Sequence, residues 1–383
     1  MHGEMKFEEV IGQQEAKERL VRMVAEDRVP HALLFHGPNG CGKLALALAF
    51  ASYLLCSNRH DGDCCGSCPQ CAMSGKWAHP DLHFSFPVIK PKNASAEYKP
   101  VSDDFLNEWR DILAGGPYFS IEQWLDRLGT ESQQAIMTVK EADNLTHKLS
   151  LRSSQGGYKV SVMWLPERMR EDTANKLLKL IEEPPSQTVF LLVSEQPDLL
   201  LETIRSRTQS FAMRRIETED IKNALVSQRG IDPEAAVRIA RVSGGNWLQA
   251  IDALDAESEN KQFLADFMQM TRLAFGRKLP EMLKWTADTT KYGREKQRRM
   301  LTFFLRMFRE SFMYNFHISD ISYMTVEEEN FVKRFAPFVN ENNILALSEL
   351  MSKGITDIGR NTNARMVLFD IILQTTALLR RNA

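Results

Sequence analysis

The chain has 383 residues, too many for one ordinary hydrophobic core and enough for two or three domains. A hydrophobic fraction of 43% and a charged fraction of 26% are those of a soluble globular protein, and a net charge of −2 excludes a global field that would draw the chain onto nucleic acid. Met1 to Glu9 carries acids and lacks the apolar core of a signal peptide, and the longest apolar stretch, Leu44 to Leu55, is too short and alanine-rich to span a bilayer, so the expectation is a cytoplasmic protein with reduced thiols.

Residues 7 to 83 alternate helix, strand and helix in the manner of an α/β nucleotide domain. The apolar run Ala32 to Phe35 leads into Gly37-Pro38-Asn39-Gly40-Cys41-Gly42-Lys43-Leu44 and then a helix rich in alanine and leucine. This is a phosphate-binding loop with one position changed. Backbone N–H groups and the lysine of such a loop hold phosphates, and the hydroxyl of an eighth-position Ser or Thr ligates Mg²⁺. Leu44 offers no oxygen. Gly37, Gly40, Gly42 and Lys43 can still grip a nucleotide at the helix N-terminus without the means to hydrolyse it. The plainer alternative is a relic loop that stays empty and turns the chain.

Five of the six cysteines fall between positions 56 and 71, among Gly62, Gly66 and Pro69. Cys65-x-x-Cys68-x-x-Cys71 presents three thiolates from a compact loop, and Cys56, at the end of the phosphate-loop helix, can supply the fourth to a tetrahedral Zn²⁺. Four sulfurs leave no open position for water, so the metal would be structural. Cys64 competes with Cys65, which keeps the more even spacing. Disulfides are disfavoured by the compartment, and an iron–sulfur cluster is the remaining alternative.

Residues 84 to about 135 break the rhythm and read as an insertion, with an extended piece over Phe84 to Asn93 and short amphipathic helices around Trp109 and Trp124 whose aromatics are core rather than a ligand platform. The α/β pattern then resumes. A helix is expected over Lys140 to Leu149 and a buried strand over Lys159 to Trp164. Asp172 is positioned to cap the next helix, which Pro184-Pro185 ends, and a further strand spans Val189 to Val193. In ATPases of this kind the strand preceding that helix ends in acids that hold Mg²⁺ and orient water. Here Trp164 and Leu165 occupy those positions, and Glu167 lies past a proline, where it would have to fold back to replace either acid.

Leu201 to Arg207 ends with two arginines at a helix terminus. Arg205 and Arg207 can simply compensate the helix dipole, or Arg207 can project into the nucleotide site of an adjacent subunit as an arginine finger. Beyond about residue 213 the pattern is all-helical. Residues 216 to 258 read as a small lid with Gly244-Gly245 as its turn, and residues 260 to 383 as a separate α domain. Its densest basic stretch runs from Lys291 to Arg299, with Arg306 and Arg309 beyond, and reads as a solvated helix face paired with acids in preference to a DNA contact.

Four segments together resemble the AAA+ clamp-loader family of bacterial DNA polymerase III. These are Phe7-Glu8-Glu9-Val10-Ile11-Gly12-Gln13 with Pro30 to Phe35; the cysteines 56, 65, 68 and 71; Asn175 to Pro185; and Ile204-Arg205-Ser206-Arg207-Thr208, where Thr208 replaces the family's cysteine. The resemblance implies an α/β P-loop domain over 1–212, with a zinc knuckle at 56–71 and the insertion at about 84–135, then a helical lid over 213–258 and a helical collar over 259–383. Leu44, Trp164-Leu165 and the arginine-free Gly245 to Ala250 depart from the motor subunits in the direction of the delta-prime branch. That branch implies a stator in a five-subunit ring with gamma/tau and delta, touching the sliding clamp and primer-template DNA through the complex. It also implies Arg207 as a finger acting in trans, structural Zn²⁺, and ATP or ADP held at Gly37 to Leu44 without hydrolysis. The alternatives are an active gamma/tau-like ATPase and a zinc-bearing DNA-binding adaptor.

Overall fold

A computed structural model describes residues 5–91, 94–95, 97–129, 134–154, 156–316, 324–360 and 362–380. Met1 to Glu4, Lys92, Asn93 and parts of the segment read as an insertion lie outside the described residues. The chain divides into two compact units, Met1–Ala253 and Leu254–Ala383.

The first unit runs α1 (Gln14–Ala25), β1 (Ala32–His36), α2 (Lys43–Leu55), α3 (Pro69–Ser74), β2 (Leu82–Ser85), α4 (Leu106–Ala114), α5 (Ile121–Arg127) and α6 (Val139–Ser150), followed by β3 (Lys159–Trp164), α7 (Glu171–Glu182), β4 (Thr188–Val193), α8 (Glu202–Arg205), β5 (Gln209–Ala212), α9 (Thr218–Arg229) and α10 (Pro233–Ser243). The strands form one five-stranded sheet in the order β2-β3-β4-β1-β5, with every pairing parallel. Side chains alternate between its faces as the strand period requires. Leu33, Phe35, Val162, Leu191 and Val193 join the core on the α2 side, while Leu34, Met163, Phe190 and Leu192 pack with Leu145 of α6, Leu177 and Ile181 of α7 and Ile204 of α8. Covering both faces explains why the strands read as apolar runs and why α2 is buried along its whole length. The P-loop α/β expectation is met.

Two local expectations change. Leu82–Ser85 is a strand of the sheet, registered on Val160 to Met163, so the segment that departs from the α/β rhythm begins after Ser85. Asp172 is not the cap of α7. Arg170 holds that position, and Asp172, in the first turn, accepts from the backbone N–H of Thr173 at 2.9 Å. Its charge there favours the helix through the macrodipole.

Within the segment after Ser85 the aromatics are core. Trp109 and Trp124 are fully buried, Trp109 stacks on Phe86 with ring centroids 4.2 Å apart, and Trp124 Nε1 donates to Pro87 O at 2.8 Å. Trp109 also meets Trp164, at the end of β3, at 5.4 Å, which ties the segment to the carboxyl edge of the sheet. Buried Glu141 of α6 fastens it a second time, accepting from Ser85 Oγ at 2.8 Å and from the Ser102 N–H at 2.7 Å.

A 30-residue helix, α11 (Trp247–Gly276), follows the Gly244-Gly245 turn, so the expected boundary between 258 and 259 falls inside a continuous helix. The second unit continues with α12 (Leu279–Thr290), α13 (Arg294–Tyr314), α14 (Val326–Phe335), α15 (Ile344–Gly359) and α16 (Ala364–Arg380). Its core centres on Phe267, which meets Phe304, Phe308, Phe331 and Phe335 at 5.0 to 5.8 Å. Among the described residues no helix is long and apolar enough to cross a membrane.

Candidate functional site

Gly37 to Gly42 forms the loop between β1 and α2, at the carboxyl edge of the sheet where ligands of open α/β folds bind. Two of the loop's glycines are met by side chains. A Cβ on Gly40 would lie 1.7 Å from Asn246 Oδ1, and one on Gly42, at φ +89°, would lie 3.1 Å from the Tyr118 hydroxyl. Both glycines therefore admit the close approach of the chain's own side chains.

The loop is occupied from within. Lys43 is buried, and its ammonium donates to Gly37 O at 2.9 Å and to Pro38 O at 2.8 Å. Tyr118 lies over Gly42, its hydroxyl accepts from the Ile11 N–H at 2.9 Å, and burial pushes its pKa upward. The cavity that remains is about 30 Å³ and is lined by Gly42, Lys43, Leu44, Phe119, Trp164 and Glu195, among others. That is the room of about one water molecule. Pro117, Tyr118 and Phe119 line the cavity on the side facing Gly42 and Lys43.

The two side chains at the positions expected to ligate Mg²⁺ are apolar and buried, with Leu44 5% and Trp164 3% exposed. Glu167 does fold back, because Leu165 takes a left-handed conformation at φ +55°, but its carboxylate serves the backbone. Oε1 accepts from the N–H of Glu195 at 2.8 Å and of Gln196 at 3.1 Å. Glu195, just beyond β4, lines the same cavity as Lys43 and was missed by sequence reasoning. Burial raises its pKa while the charge of Lys43 lowers it. No local motif marks Glu195. It reaches the loop only because β4 lies beside β1 in the sheet.

The structure brings Cys56, Cys65, Cys68 and Cys71 together, with all four sulfurs within 4.8 Å of one another. Separations of 3.6 Å (Cys56–Cys65), 3.9 Å (Cys65–Cys71) and 4.0 Å (Cys56–Cys68) match the spacing of about 3.8 Å expected for sulfurs about 2.3 Å from a tetrahedral ion. Backbone N–H groups surround the sulfurs. Cys65 and Asn58 donate to Cys56 Sγ at 3.3 and 3.4 Å, Cys68 donates to Cys65 Sγ at 3.3 Å, and Cys71 donates to Cys68 Sγ at 3.4 Å. Such donors stabilise thiolates, so the residues fit a metal. Burial pushes Cys71 and Cys56 up, and the Ser67 N–H brings Cys65 down. Burial also pushes on Cys68, but hydrogen bonds from Ser57 and Cys71 outweigh it and bring that thiol to about 6. Cys64 is buried outside the four-sulfur group.

Sequence reasoning also missed Asp63. Its Oδ1 accepts from the N–H of Phe7 at 3.1 Å and of Cys64 at 2.8 Å, and its Oδ2 from the N–H of Glu8 at 3.1 Å, so the cysteine loop holds the amino-terminal segment in place.

The structure separates the two arginines. Arg205, the last residue of α8, pairs with Asp198 at 3.2 Å. Arg207 lies beyond the helix, partly exposed, with its Nε on Glu182 and its Nη1 on Thr203 O at 3.0 Å. In the second unit the basic stretch is paired with acids. Arg299 donates twice to Glu259 at 2.7 and 2.9 Å, Lys291 meets Asp288 at 2.7 Å, and Arg306 pairs with Glu328. The Lys291 pair is exposed, as the solvated-face reading expects, whereas Arg306 meets a buried acid.

The family model described as "DNA polymerase III, delta subunit" matches residues 12–217. DNA polymerase III subunit delta' of Bacillus subtilis is 26% identical over 254 residues, 66% of this chain and 61% of the relative. The delta' subunit of Pseudomonas aeruginosa is 33% identical over 177 residues, 46% of this chain and 41% of the relative. DNA polymerase III subunit gamma/tau of Mycobacterium bovis is 28% identical over 254 residues, 65% of this chain and 36% of the relative. The chain thus matches less than two thirds of the length of each of these relatives.

Proposed function

Since the chain belongs to the DNA polymerase III delta-subunit family, we propose that it is the stator of a clamp loader: a subunit that hydrolyses no ATP and completes a neighbouring motor's site with Arg207. The observation that carries this reading is the replacement of both expected Mg²⁺ ligands by the buried side chains of Leu44 and Trp164, around a cavity of about 30 Å³. Chemistry without the cation lacks the charge that neutralises the transferring phosphoryl group. The guanidinium is placed differently, on the surface, where a second subunit can reach it.

On this reading the chain joins gamma/tau-like motors and a delta-like subunit in a five-membered ring that loads the sliding clamp on primed DNA. Residues 213–258 act as the lid and 259–383 as the collar that holds the ring. Cys56, Cys65, Cys68 and Cys71 hold Zn²⁺, which fixes the loop they share and supplies no chemistry. Any ATP or ADP that enters the loop is held without hydrolysis.

The test is reconstitution. Mixed with a motor subunit, the chain should support DNA-stimulated ATPase activity, and Arg207→Ala should lower it by at least about tenfold, since an arginine finger contributes about 10³ to 10⁵ in rate where it is fully engaged. Turnover by the isolated chain that Lys43→Ala abolishes would replace this reading with that of an active ATPase. Tight binding of primed DNA by the isolated chain, indifferent to motor subunits, would replace it with that of an adaptor.

A further inference from the structure

We infer that Glu182 is a positioning residue for Arg207, fixing the direction in which its guanidinium faces a neighbouring subunit. The inference rests on the finger reading above and deepens it. Glu182 is the last residue of α7, and Arg207 follows α8. The two backbones are held against each other by Ile181 and Ile204, both fully buried in one core cluster, so the carboxylate is presented from a fixed base.

The guanidinium is a planar fork whose donors point in set directions. Its Nε donates to Glu182 and its Nη1 to Thr203 O at 3.0 Å and Ser206 Oγ at 3.4 Å, while among the described residues Nη2 has no acceptor. Two of the three nitrogens are held and the third is left to face outward. An acid in the last turn of a helix is unfavourable against the macrodipole, so Glu182 is poorly explained as a stabiliser of its own helix. The pair is also about two-fifths exposed, where an ion pair contributes little to folding. What it does provide is direction.

The experiment measures kcat and KM for ATP of the reconstituted motor with four variants of this chain: Glu182→Ala, Glu182→Gln, Arg207→Ala and the double variant Glu182→Ala/Arg207→Ala. Misdirecting a group that acts only in the transition state lowers kcat and leaves KM unchanged. Glu182→Ala should lower kcat about tenfold with KM within about twofold. Glu182→Gln, whose amide oxygen still accepts from Nε, should restore it to within about threefold of the parent. The double variant should match Arg207→Ala alone, because residues acting as one unit are not additive. A Glu182→Ala kcat equal to the parent's, in a ring that Arg207→Ala does slow, overturns the positioning role and leaves the finger standing. A ring indifferent to Arg207→Ala overturns both. A kcat raised by Glu182→Ala also overturns it, since the acid would then be masking the arginine. Glu182→Gln keeps the side chain's length and a hydrogen-bond acceptor, so it remains informative if the alanine variant folds poorly.

Discussion

The Glu167 carboxylate reaches back past Pro166 to accept from the backbone N–H of Glu195 at 2.8 Å, so one of its oxygens is committed to the end of β4. A charge-assisted acceptor of two backbone donors contributes about 1 to 3 kcal/mol. Glu167→Ala should therefore lower the free energy of unfolding by that amount in urea titration and leave ATPase activity of the reconstituted assembly within about twofold. An assembly that loses activity while the variant keeps its stability would return Glu167 to the chemistry.

The cysteine cluster predicts one zinc per chain. Elemental analysis of the purified protein should find zinc, retained in Cys64→Ser and lost in Cys65→Ser. Chelation should free the amino-terminal segment as well, because Asp63, within the same loop, holds the Phe7 and Glu8 N–H groups. Protease cleavage near Phe7 should then accelerate. Iron in place of zinc, or metal lost from Cys64→Ser and retained in Cys65→Ser, would contradict the assignment.

The filled loop predicts silence in calorimetry. Titration of the isolated chain with Mg-ATP should give no binding heat at micromolar concentrations, because Tyr118 lies against Gly42 and the Lys43 ammonium is already bonded to the loop's own carbonyls. Lys43→Ala should act on stability through its lost bonds to Gly37 O and Pro38 O and leave the activity of the assembly unchanged. Micromolar ATP affinity that Lys43→Ala abolishes would show that the loop opens readily.

Acid sensitivity should trace to His83. Burial, reinforced by the charge of Lys148, pushes its pKa down from 6.5 to about 4. Between those values the unfolded chain binds the proton and the folded chain does not, so this group's contribution is fully present above about 6.5 and is lost as pH falls toward 4. At pH 5 the loss is of order 2 kcal/mol relative to pH 7. The stability difference between the two pH values should shrink by about that much in His83→Leu. A variant with the parent's full pH dependence would place the effect elsewhere.

Elements built from contiguous residues are legible in the sequence. The glycine loop, β1, β3, β4 and the cysteine cluster depend on turn chemistry, apolar runs and close spacing, which a chain carries locally. β2 was not legible, because four residues beside an irregular segment have too short a pattern to separate a strand from an extended loop. Asp172 failed as a cap because capping depends on where the first helical turn begins, a shift of two residues that composition does not reveal.

The linear chain by itself determined that the two positions expected to ligate a cation carry a leucine and a tryptophan, side chains that offer no oxygen wherever they fold. It also determined that four thiols lie within reach of one ion, because their separation along the chain is short. Only the tertiary structure decided that Tyr118 seals Gly42, that Asn246 seals Gly40, that Glu167 caps a strand and that Glu182, and not Asp198, holds Arg207. Those four relationships join residues 25 to 206 positions apart, and their partners are selected by which strands and helices pack together, a choice made by the whole core and by no local run of residues.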